Sequence, residues 1–150
     1  MKTVFDRAVR DELAARLRRL TPDTCAQWGK FTVTKMLAHV NDAMRMNVGE
    51  LAVAPKPNPF RNAFGRWLLV YALPWPKGSP TAPELLARGR SDAIEFEAER
   101  AKFRELLENV AARQGAREWP EHPAFGAMRE KDVGVLVYKH LDHHLRQFAV

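Results

Sequence analysis

Ten prolines are spread unevenly along this 150-residue chain, and their placement constrains its fold more than any other feature. Pro55, Pro57 and Pro59 interrupt the chain once. Pro74, Pro76, Pro80 and Pro83, with Gly78, interrupt it again, and Pro120 and Pro123 flank a third break. Proline lacks a backbone N–H and disrupts helix interiors, so ordered elements should lie between these breaks. The intervening stretches repeat apolar residues every three or four positions, the period of an amphipathic helix. Helices are therefore expected over about 3–20, 33–51, 60–73, 91–113 and 129–148. Phe5, Val9, Leu13 and Leu17 pattern the first; Phe96, Phe103, Leu106, Leu107 and Val110 pattern the fourth. Thr32 or Thr34 is a plausible N-cap for the second helix, and Ser91 for the fourth. Strand-like alternation and internal repeats are absent from the sequence. The expected class is all-α: a single-domain four-helix bundle, with long prolyl connections that suit crossover topology.

The last expected helix carries an anomaly. Val133, Leu136, Val137, His140, His144 and Phe148 share one face, so two histidines stand where apolar residues should point into the core. Side chains at i and i+4 lie one above the other, which sets two imidazoles in register. Polar nitrogens facing a core need a partner, and a metal ion supplies one. His39 shares an inward face with Met36, Val40 and Ala43 on the second helix and is the expected third ligand. Neutral imidazole suits Zn, Ni, Fe and Cu, and three such ligands leave coordination positions open. His143 falls at the edge of the apolar stripe and receives no ligand role. Asn41 and Gln147 stand near enough in sequence to orient the imidazoles, although exposure is the expectation for each. His122, between Pro120 and Pro123, is the candidate for a residue at the site entrance or a general base.

The same residues carry a resemblance. Trp28-Gly29-Lys30-Phe31-Thr32-Val33 leading into Met36-Leu37-Ala38-His39, and His122-Pro123-Ala124-Phe125-Gly126 followed by Tyr138 to Phe148, resemble the DinB/YfiT-like metalloenzyme superfamily. The likeness spans nearly the whole chain. It implies an up-down-down-up bundle, a tendency to dimerise, and metal ligands at His39, His140 and His144. Several DinB-like relatives are metal-dependent thiol transferases. The resemblance therefore implies S-transfer or detoxification, with a low-molecular-weight thiol and an electrophilic small molecule as partners. Metal-dependent hydrolysis, and metal binding without turnover, remain alternatives.

Composition narrows the rest. A chain of this length buries about 68–70% of its unfolded surface, enough for one core. The net charge of +6 raises a nucleic-acid reading. Its distribution opposes that reading: Arg16, Arg18 and Arg19 close the first helix, where cations complement the helix dipole, and the other basic residues are scattered, many alternating with acids. No nucleic-acid partner is expected. The charged opening Met1-Lys2-Thr3-Val4-Phe5-Asp6-Arg7 reads as no secretory signal, and the apolar run from Trp67 to Leu73 is too short to span a membrane. A lone Cys25, with no base nearby, reads as incidental, and a reducing cytoplasm is the expected setting.

Overall fold

The computed structural model describes residues 1–55, 61–88 and 94–150. Five α-helices and no strand occur among the described residues: α1 (Arg7–Leu17), α2 (Val33–Val48), α3 (Ala63–Trp67), α4 (Phe96–Ala112) and α5 (Glu130–Gln147). The four longer helices close a ring of contacts. α2 packs on α4 and α5, and α1 packs on the same two. The core between them holds Leu13, Leu17, Leu37, Met44, Phe103, Leu107, Leu141, Leu145 and Phe148, each 2% exposed or less.

Local chemistry sets the helix ends. Asp6 accepts the Ala8 N–H and starts α1, four residues later than the sequence pattern suggests. The preceding residues are drawn off by α5 instead. Val4 donates its N–H to the Gly134 carbonyl at 3.2 Å, and a Cβ on Gly134 would meet Thr3 and Phe5 at 2.3–2.5 Å. Only glycine permits that approach. Phe5 consequently leaves the α1 stripe and sits edge-on to Trp119. Thr32, rather than Thr34, caps α2 by accepting the Lys35 N–H. Gly49 ends α2 in the left-handed region, three residues before the expected stop.

The third helix is shorter than expected. α3, capped by Asn62, runs into a π-helical turn at Leu68–Ala72. Lys139 of α5 donates from its ammonium to the Leu69, Val70 and Leu73 carbonyls at 2.5–3.1 Å, closing that turn against α5. A short 3₁₀ turn, Pro83–Leu86, then crosses α2. The expected start of the third helix at Phe60, the prolines Pro57 and Pro59, and the Ser91 cap lie outside the described residues. No described helix is long and apolar enough to cross a membrane.

Candidate metal centre

α2 delivers His39 and α5 delivers His140 and His144, one helical turn apart, to a single point between the two helices. One nitrogen from each ring lies within 4.8 Å of the other two. His39 Nε2 and His140 Nε2 are 3.1 Å apart. Two nitrogens bound to one ion at about 2.0–2.1 Å can be separated by at most about 4.2 Å, so this pair already fits. The three ring centroids form a near-equilateral triangle with sides of 4.8–5.0 Å.

The outer nitrogens are tied down. The Leu85 carbonyl faces His39 Nδ1 at 3.2 Å. A carbonyl only accepts, so His39 carries its proton on Nδ1 and keeps a lone pair on Nε2. His144 Nδ1 faces Gln147 Oε1 at 2.9 Å, and Gln147 Nε2 donates to the Trp28 carbonyl at 2.7 Å. That second bond settles which way round the amide sits. Oε1 must accept, and His144 must donate from Nδ1. Fixing a ring through its other N–H is how proteins orient metal-ligating histidines.

Burial is the main force on all three rings. It lowers the pKa of His39 and holds His140 well below the ordinary histidine range, where its neighbours His144 and His39 add to the effect. His144 is pushed down to about 3, by burial first and by His39 second. All three imidazoles are therefore neutral at pH 7, and their lone pairs are available without displacing a proton. Phe31 stacks on His39 at 5.3 Å and meets His144 edge-on, while Trp75 lies 4.8 Å from the half-buried His140. The donor set is nitrogen only, neutral and aromatic-walled, which suits a borderline transition metal ion.

The remaining expected residues divide. Gln147 is buried rather than exposed, and it holds the His144 ring. Asn41 is also buried, against expectation, but its amide turns to α4 rather than to the histidines. Its amide donates to the Glu99 carbonyl and carboxylate at 2.9 and 2.7 Å. His143 lies beside His144 but belongs to the surface, between Trp28 and Trp75. His122 closes its own loop, where its Nδ1 accepts the Ala124 N–H at 3.1 Å. Burial, with Arg61 nearby, lowers its pKa to about 4, so the neutral ring holds its proton on Nε2 and acts as a donor. Cys25 is exposed, and among the described residues its thiol bonds the Asp23 carbonyl at 3.5 Å.

Three contributors were invisible in the sequence. The Leu85 carbonyl is a backbone group, Trp75 sits in a proline segment with no periodicity, and Arg88, which bonds Asp42 on α2 and Glu99 on α4 beside the turn that carries Leu85, is in sequence one more scattered cation. Gly29 did carry a signal, as the centre of the Trp28-Gly29-Lys30 motif. A Cβ there would sit 2.6 Å from Gln147 Nε2, so glycine lets the amide reach the Trp28 carbonyl.

Helical architecture and site together define an all-α protein with a three-histidine cluster able to hold a metal ion. Residues 5–150 match the model of the family described as "Protein of unknown function (DUF1569)", and the chain belongs to that family. No curated protein and no solved structure matches the chain.

Proposed function

We propose that this chain binds one divalent transition metal ion, of the Zn, Ni or Fe group, through His39, His140 and His144, and is a metal-dependent thiol S-transferase of the DinB-like kind. The observation that carries the metal is the oriented donor set. Two of the three rings are locked with Nδ1–H outward, and the His39 and His140 Nε2 atoms face each other at 3.1 Å. The transferase reading rests on the resemblance at Trp28 to His39 and Tyr138 to Phe148, with the up-down-down-up order that it implies. A metal bound by three neutral imidazoles favours the thiolate form of a small thiol at neutral pH and keeps positions open for it.

The chain's own residues prepare that chemistry. Phe31 and Trp75 wall the histidines. Leu85 and Gln147 hold the rings so that coordination requires little reordering. His122 is a hydrogen-bond donor in this arrangement, and the proposal assigns no general base. A low-molecular-weight thiol and a soft electrophile are the partners, in a cytoplasmic setting where such thiols stay reduced.

The test is turnover by protein of known metal content. Bacillithiol, mycothiol, glutathione and cysteine would each be offered with one chromogenic electrophile. The expected result is metal-dependent conjugation with at least one thiol, abolished by His39→Ala while the helical circular dichroism persists. Absence of thiol-dependent turnover above background would overturn the transferase reading. Metal-dependent turnover with water alone would replace it with a hydrolase.

A further inference from the structure

A groove of about 370 Å³ lies on the solvent side of the cluster, walled by Trp28, Trp75 and His143. Trp75 is shared between the two places: one ring contact at 4.8 Å is to His140, and another at 6.3 Å is to His143. Trp28 closes the opposite wall, 5.8 Å from His143. The groove is also positively charged. Lys77, Lys139 and Arg146 line it, against one carboxylate, Asp142. Arg16, which is not among the lining residues, bonds that carboxylate at 2.7 Å, leaving Arg146 a looser contact at 3.8 Å. Lys77 and Lys139 form no ion pair among the described residues. Lys77 rests 4.1 Å above the Trp28 ring, and Lys139 caps backbone carbonyls.

We propose that this groove binds the anionic end of a flat small molecule, a carboxylate or phosphate attached to an apolar body, beside the histidine cluster. Two indoles and an imidazole offer faces and edges to the apolar body. Surplus ammonium and guanidinium groups around the rim suit the anion, and a partly enclosed groove screens that attraction less than open water. Its role as the substrate's holding site rests on the metal-centre reading. Binding of the anion does not.

The test is calorimetric titration with 1-naphthoate, 1-naphthyl phosphate and the neutral 1-naphthalenemethanol, on both chelator-treated and metal-loaded protein. At least one anion should bind about tenfold or more tighter than the alcohol in both forms. The ranking of the two anions distinguishes a carboxylate from a phosphate site. Lys77→Glu with Arg146→Glu, both on the surface, should erase the preference. Arg7→Glu with Arg104→Glu makes the same change in net charge on α1 and α4 and should preserve it. Equal binding of alcohol and anions would overturn the proposal, as would loss of preference in both double variants. Anion binding seen only with metal, and insensitive to Lys77 and Arg146, would place the anion on the ion and also overturn it. Anion binding in a protein that takes up no metal would sustain the groove and remove the metal centre.

Discussion

Between Trp28 and His144 the Gln147 amide forms a two-bond relay, accepting from the imidazole and donating to the backbone. Gly29 makes room for it at φ +80°, a backbone region that also disfavours any side chain. Gly29→Ala should therefore release His144 without removing a ligand. Loss of such an orienting partner costs about 10–100-fold in metal affinity, and competition against a chromophoric chelator would measure it. An unchanged affinity would mean that the relay does not orient the ring. His143 and His144 separate in the same way. A metal that binds only the folded state adds about 2.7 kcal/mol at a hundredfold excess over Kd. Chelation should lower Tm in the parent protein, His144→Ala should abolish that response, and His143→Ala should retain most of it. Equal losses would give His143 a share of the ion.

At the scale of elements, the 3₁₀ turn at Pro83–Leu86 holds the Leu85 carbonyl against His39 on α2, while its Glu84 accepts the Ala54 N–H. Arg88, two residues past the turn, fastens it there. Its guanidinium reaches Asp42 at 2.9 and 3.0 Å on α2 and Glu99 at 2.8 and 2.7 Å on α4. Burial disfavours ionised Glu99, yet hydrogen bonds from Arg88 and Asn41 outweigh it and keep the carboxylate charged. Removing one partner of a fully buried pair costs about 3–5 kcal/mol. The Arg88 side chain retains 28% exposure, so Arg88→Ala should cost less, about 2–3 kcal/mol, in urea unfolding. The same variant should weaken metal binding, because the turn that polarises His39 loses its tether. A stability loss with unchanged metal affinity would confine Arg88 to holding helices together.

For the whole molecule, the buried histidines make stability depend on pH. His39, His140, His144 and His122 all have lowered pKa values in the folded protein. The unfolded chain protonates them near pH 6.5, while the folded chain holds them neutral to lower pH, about 4 for His122 and about 3 for His144. The unfolded state thus binds more protons between those limits, so folding free energy is complete above pH 6.5 and falls as pH drops below it. Each such histidine contributes a slope of about 1.4 kcal/mol per pH unit. Metal-free protein should therefore lose stability steeply from pH 6.5 to 5, before the carboxylates titrate. Urea midpoints at half-unit intervals would trace this. A flat profile over that range would mean that the rings are solvated in the folded state.

Proline placement and apolar rhythm determined where helices could form, because both act within a few residues of chain. The i, i+4 pair on α5 was legible for the same reason: helical geometry alone aligns His140 with His144, and an apolar stripe shows which way they face. His39 was readable as an inward histidine, but its meeting with the other two depends on α2 packing against α5, a contact between residues a hundred positions apart. The sequence misread Gln147 and Asn41 as exposed because a polar residue is solvated unless something specific receives it. The Trp28 carbonyl and Glu99 supply those partners only after folding. Tertiary structure alone decided the π-helical end of the third element, the Leu85 carbonyl on His39 and the Trp75 wall. Each arises where a segment without periodicity is held by a distant side chain or backbone group, an energy that no local pattern records.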